Sequence, residues 1–280
     1  MAEATEHNND VITIEPARGW RSLGLREVWE YRELLYFFLW RELKGRYRQM
    51  ALGPLWIVLA PIITTAIFTL VFTRWAKLST DGLPAPLFYL AALLPWQLFA
   101  VAAQKSSTSL VDNLRVISKV YFPRLIVPLS TATSGMADFL MAFVVFLVMM
   151  PFFGCWPGPA ALLLPLYLAL AVATALAVGL WLACLAVRFR DVEVGVRFLL
   201  PAWMFLSPVI YPASSVPEAW RGLYLLNPMA GVIEGSRWCL LGKGEAFHPA
   251  VAISAVIVLI ALVAGLFYFQ RTERDVVDMM

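Results

Sequence analysis

The chain has 280 residues, of which 61% are hydrophobic and 15% charged, with a net charge of +3. Soluble domains carry roughly a quarter charged residues, so a soluble fold is excluded and a bilayer is the solvent this composition requires. Cys155, Cys184 and Cys239 are too few and scattered for a disulfide framework, and His7 and His248 have no Cys or carboxylate cluster around them that would make a metal site.

Residues 1–24 form a polar N-terminal tail without the short apolar core and small-residue cleavage site of a signal peptide. Residues 25–48 mix Arg26, Glu30, Arg41, Lys44 and Arg48 with Val28, Leu35, Leu39 and Leu43 at helical spacing. The apolar centre, Leu34 to Trp40, is too short to cross a membrane, so this stretch reads as an amphipathic helix on the cytoplasmic surface. A crossing helix needs about 20 mostly apolar residues. Six runs qualify or approach this: Leu52 to Phe72, Pro84 to Ala103, Leu125 to Phe153, Pro159 to Val187, the short Phe198 to Ala213, and His248 to Phe269. Before the last run, Ser214 to Phe247 is unusually apolar and is broken at Asn227-Pro228, as expected for short re-entrant or interfacial helices. The expected fold is an all-α membrane protein with six transmembrane helices across 49–270 and a C-terminal tail, 271–280.

With the N-terminus in the cytoplasm, the inside segments 1–51, 104–124, 188–197 and 270–280 hold 17 of the 22 Lys and Arg residues. This satisfies the positive-inside rule and places both termini in the cytoplasm. Outside lie Arg74, Lys77, Arg221, Arg237 and Lys243. Asp138 is the one charged side chain that falls within an apolar run.

No GxxxxGK[ST] phosphate loop, GxSxG elbow or HExxH pair occurs. The chain is expected to be no enzyme and to hold no cofactor. Uphill transport would have to draw on a partner or an ion gradient, and an ion-coupled carrier would rest on Asp138 alone. A membrane-embedded acyl- or glycosyl-transferase would require His, Asp or Glu clustered near an interface, and here they are scattered.

Several stretches carry a resemblance. Trp40-Arg41-Glu42-Leu43-Lys44-Gly45-Arg46-Tyr47-Arg48-Gln49 leads into Leu52-Gly53-Pro54-Leu55-Trp56, and Leu94-Pro95-Trp96 follows. Then come Asn113 to Arg124 (NLRVISKVYFPR), Phe189-Arg190-Asp191-Val192, Ser207 to Pro212 (SPVIYP) and Asn227-Pro228-Met229. In this order, from about Ile14 to Asp275, the chain resembles the permease subunit of ABC-type polysaccharide exporters, which export O-antigen, capsule and teichoic acid chains. The resemblance implies a homodimer in the bacterial inner membrane, joined to two cytoplasmic ATPase subunits that hold the ATP and Mg. It also implies a lipid-linked glycan as cargo and a place in lipopolysaccharide biosynthesis. An ATPase-linked exporter of a drug or lipid would share this design.

Coupling to an ATPase needs cytoplasmic elements that can be gripped. The candidates are Arg41, Glu42, Arg46 and Tyr47; Asn113, Leu114, Ile117, Tyr121, Phe122 and Arg124; and Arg190 with Asp191. Leu114, Ile117, Val120, Tyr121 and Phe122 offer an apolar plug in the segment between the second and third spans, and the resemblance implies a coupling role for that segment. Attraction of its basic residues to lipid headgroups is the alternative reading. For a sugar path, Tyr89, Trp96, Tyr211 and Trp220 offer flat apolar faces, although such aromatics also form belts at membrane interfaces.

Overall fold

The computed structural model describes residues 25–47, 55–243 and 249–278. The polar tail, the first residues of the first apolar run and His248 lie outside them. Among the described residues every regular element is helical. Two helices, α1 (Leu25–Glu30) and α2 (Arg32–Tyr47), precede the first long one. Next, α3 (Leu55–Phe68) continues as a π-helix, Thr69–Trp75. Then come α4 (Ala85–Asp112), the single turn α5 (Leu114–Ile117), α6 (Ile126–Ala132) and α7 (Met136–Met149). The chain ends with α8 (Leu164–Arg188), α9 (Asp191–Leu206), α10 (Glu218–Leu225), α11 (Pro228–Leu241) and α12 (Pro249–Asp278).

Among the described residues, five helical segments are long and apolar enough to cross a membrane: Leu55–Trp75, Ala85–Asp112, Ile126–Phe153, Pro159–Arg188 and Val251–Thr272. Their limits differ from the apolar runs for identifiable reasons. The second helix runs on to Asp112, through residues the sequence suggested were loop. The polar groups there are satisfied along the helix: Ser107 and Ser109 hydroxyls donate to the carbonyls of Gln104 and Ser106 at 2.7 Å each, and Thr108 donates to Asp112 at 2.7 Å. Lys105, counted with a loop, therefore sits on α4.

The third segment is broken between α6 and α7. Ser130, Thr131 and Thr133 return their hydroxyls to preceding carbonyls, a pattern that competes with regular helix. Gly135 follows, with Leu98 O only 3.3 Å from where a Cβ would stand. The fifth run is displaced. Helix α9 starts at Asp191 and stops at Leu206, because Ser207 is extended (ψ 153°) ahead of Pro208. At 16 residues it is about 24 Å long, shorter than the roughly 30 Å hydrocarbon core.

One pair of helices forms the hub. The apolar window of α4 is 72% buried and that of the α8 segment 50%, against 6% for α3 and 17% for each of the other two. In lipid, helices gain little from leaving the solvent and must gain from contact instead, so small residues collect where backbones approach. Ala91, Ala92, Ala102 and Ala103 on α4, with Ala171, Ala175, Gly179 and Ala183 on α8, are all buried. At Gly179 a Cβ would stand 2.3 Å from Ser106 Cβ, nearer than two carbons can come.

Gly179→Val should therefore force α4 and α8 apart and lower the thermal midpoint in detergent by many degrees. Gly195→Ala on α9, with nothing within 4 Å of the new methyl, should leave the midpoint unchanged or raise it slightly, since Ala is the better helix former by about 0.5–1 kcal/mol. Equal melting curves for the two variants would refute this account of the hub.

Candidate functional site at the α2 end of the bundle

Most of the candidate coupling residues meet at one end of the α4–α8 hub. Helix α2 packs on α6 through Phe38, which is 3% exposed and whose ring lies 5.7 Å from that of Phe122. Ile117, Leu125, Ile126 and Cys184 complete the same cluster, joined by Phe269 of α12. Around it runs a polar clasp. Arg41 lies over the Phe38 ring at 4.5 Å and donates from Nη2 to Asn113 Oδ1. Asn113 donates from Nδ2 to Ser109 O at 2.8 Å, which ties α2 to the last turn of α4. Glu42 pairs with Lys105 at 3.1 Å.

The sequence grouped Leu114, Ile117, Val120, Tyr121 and Phe122 as one plug, and the structure divides them. Ile117 and Phe122 are buried in the chain's own cluster, whereas Val120 is 55% and Tyr121 81% exposed. Leu114 and Arg124 are half-buried. The outward set is Val120 and Tyr121 with the exposed Arg115 and Lys119. Phe189 and Arg190, between α8 and α9, and Asp191, the first residue of α9, are likewise exposed. Arg46 and Tyr47 lie on the last turn of α2, and their side chains fall outside the described residues.

Over the described residues 25–47 the expected single helix is two, divided at Tyr31, and its apolar residues are not confined to one face. Phe38 points inward while Trp29, Tyr36, Phe37 and Trp40 are exposed. Sequence reading missed Phe38 as the anchor. It lies one turn after Leu34, which packs on the same cluster, and that i, i+4 spacing was the available signal.

The four aromatic path candidates do not share one surface within the chain. Tyr89 is fully buried among Phe68, Phe72 and Phe88, with its hydroxyl 3.1 Å from Thr73 Oγ1. Trp96 is also buried, against Phe99, in a cluster that half-buried Tyr211 touches. Trp220 on α10 is 62% exposed.

At the opposite end, α11 is buried against α4, α8 and α12. Asn227 starts it, accepting from Met229 N–H and Trp203 Nε1 (3.0 Å each) and donating to Leu206 O (3.2 Å) and Ser207 Oγ (2.9 Å). Gly242, at φ +69°, ends it. A Cβ on Gly235 would stand 1.9 Å from the Tyr167 ring, so Gly is required for α11 to seat.

Arg237, placed by the sequence in an outside loop, is 97% buried by its 3% exposure. It donates to Glu234 at 3.0 Å and to Pro208 O at 2.8 Å, and stacks 3.8 Å over Phe88. Burial lowers its pKa, and the Glu234 carboxylate opposes that shift. Asp138, the acid within an apolar run, lines a cleft of about 320 Å³ between α3, α4 and α7, beside Gln97 and Thr64.

Comparison with known proteins bears on this arrangement. The family model for the ABC-2 type transporter matches residues 33–241. The O-antigen export system permease protein RfbA of Myxococcus xanthus is 31% identical over 253 residues, covering 89% of this chain and 96% of that protein. A permease of the same name from Klebsiella pneumoniae is 28% identical over 86% of this chain and 92% of its own length. The polysialic acid transport protein KpsM of Escherichia coli is 22% identical over 84% and 91%, respectively.

The division at 117–122 makes a stability prediction. Phe122→Ala should cost about 3 kcal/mol, the usual range for a buried Phe, and lower the thermal midpoint in detergent. Tyr121→Ala should leave it within error of wild type.

Proposed function

The chain belongs to the ABC-2 type transporter family, and on that premise we propose that it is the membrane subunit of an ATP-driven polysaccharide exporter. Two copies form the translocating unit, and two cytoplasmic ATPase subunits, which hold ATP and Mg, drive it. The cargo is a lipid-linked glycan of the O-antigen class, passed from the inner to the outer face of the bacterial inner membrane. Relatives named for O-antigen export and polysialic acid transport, matched over most of their length, support a glycan over a drug. The distribution of Lys and Arg supports a cytoplasmic α2 end, with both termini inside. In this reading, α1 and α2 lie at the inner interface, where the outward Trp29 and Trp40 suit an aromatic belt. Helix α9 with residues 207–213 makes the fifth of six crossings, and α10 and α11 fold back into the outer leaflet.

One observation carries the coupling reading. Tyr121 stands 81% exposed on a turn whose neighbouring Phe122 is locked into the body. An aromatic held out on an anchored turn suits insertion into a partner's pocket, and such anchors carry most of the energy of an interface. A push on that turn would reach α2 and α4 through Phe122–Phe38 and Arg41–Asn113. Arg115 and Lys119 beside it would add charge complementarity.

Tyr121→Ala should weaken binding of the ATPase subunits by about 2 kcal/mol, roughly thirtyfold, and depress export to match. The check is co-purification and glycan export with the variant inserted at wild-type level. Normal export with the ATPase subunits still bound would sink the proposal.

A further inference from the structure

Two of the long helical segments carry a polar side chain at mid-depth. Gln97 lies twelve residues after the start of α4 and fifteen before its end. Asp138 lies twelve residues into the segment Ile126–Phe153 and fifteen before its close. At 1.5 Å per residue each is about 18 Å from the nearer end, well inside a hydrocarbon core. Gln97 is exposed and Asp138 half-buried, so neither is sealed in the interior of the chain. A polar group facing bare hydrocarbon is costly, and ionisable residues at that depth mark ligand or ion paths.

Both line the cleft of about 320 Å³ between α3, α4 and α7, a volume at the lower end of the range for small-ligand sites, about 300–1,000 Å³. Leu90, Leu94, Gln97 and Val101 recur along its α4 wall at helical spacing, which puts Gln97 within that face. From α3 come Thr64, half-buried, and Trp56, which is 49% exposed. Among the described residues no Lys or Arg lines the cleft. Its walls therefore offer a carboxyl, an amide, a hydroxyl and an open indole ring, and no cation.

We infer that this cleft holds a sugar residue of the glycan cargo. A sugar ring presents hydroxyls at its rim and C–H groups on its faces. Asp138 accepts from the hydroxyls, Gln97 and Thr64 both donate and accept, and Trp56 covers a C–H face. Other occupants match less of the site. An acyl chain would leave the carboxyl and the amide without partners. A phosphate would set an anion beside an acid with no lining cation to offset it, so the lipid-phosphate end of the cargo does not lodge here. A helix of a second copy, about 10 Å across with its side chains, is too broad to enter. The inference rests on the glycan reading above and deepens it by naming where the sugars are touched.

The test uses the intact complex in exporting cells, with p-benzoylphenylalanine replacing either Ile57 on the cleft wall or Ile67, exposed on α3 outside the cleft. On illumination the probe at position 57 should give glycan-bearing adducts at least fivefold above those at position 67. Gln97→Leu should cut those adducts and the surface glycan at least fivefold, with the ATPase subunits still co-purifying. Its thermal midpoint in detergent should not fall, as it would if the amide served packing alone. Asp138→Asn, which keeps an acceptor, should export more than Asp138→Leu. Adducts at position 57 only to phospholipid or to a second copy, or wild-type export by Gln97→Leu, would overturn the inference and leave the exporter reading standing. Wild-type cells that place no glycan at the surface would overturn both.

Discussion

The close approach of α4 and α8 is the constraint on which the other helices depend. Within a bilayer no solvent squeezes apolar helices together, so cohesion comes from contact and from the few polar groups that find partners. Gly179 lets the backbone of α8 reach Ser106, and the alanines on both helices keep the rest of the seam narrow. Ser106 in turn reaches Pro128 O at 3.3 Å and Thr131 Oγ1 at 3.4 Å, which brings α6 onto the same axis.

Each end of that hub is finished by a different device. At one end, an apolar cluster around Phe38 and Phe122 is closed by Arg41 and Asn113. At the other, Arg237 is taken into the interior and held by Glu234, Pro208 O and the Phe88 ring. A buried charge is tolerated only with partners, and removing one partner of such a pair costs about 3–5 kcal/mol. Helix α4 belongs to both ends, carrying Phe88 near its start and Asp112 at its close.

Aromatic residues serve two separate purposes. Tyr89, Trp96, Phe99 and Phe146 fill the interior, whereas Trp29, Trp40, Trp75, Trp156 and Trp220 stand exposed. Composition cannot separate these sets, because a ring is equally at home in a packed core and at a headgroup interface. The exposed apolar faces of α3 and α9 need no burial within the chain, since lipid or a second copy can cover them.

The sequence by itself determined the membrane as solvent, the helical class and the family resemblance, because long apolar runs and an ordered set of motifs need no partner to be read. It also located the break at Asn227-Pro228, since proline cannot donate its backbone nitrogen and so starts a helix rather than continuing one. It misplaced the end of α4 and both ends of α9, because hydropathy cannot see a polar helix whose serines satisfy themselves or a run cut short by Pro208. Only the tertiary structure decided that Phe122 turns inward while Tyr121 turns out, and that Arg237 is buried while Arg74 lines a cleft. Those choices depend on which neighbours lie across from each side chain, and adjacent positions in a sequence carry no record of that.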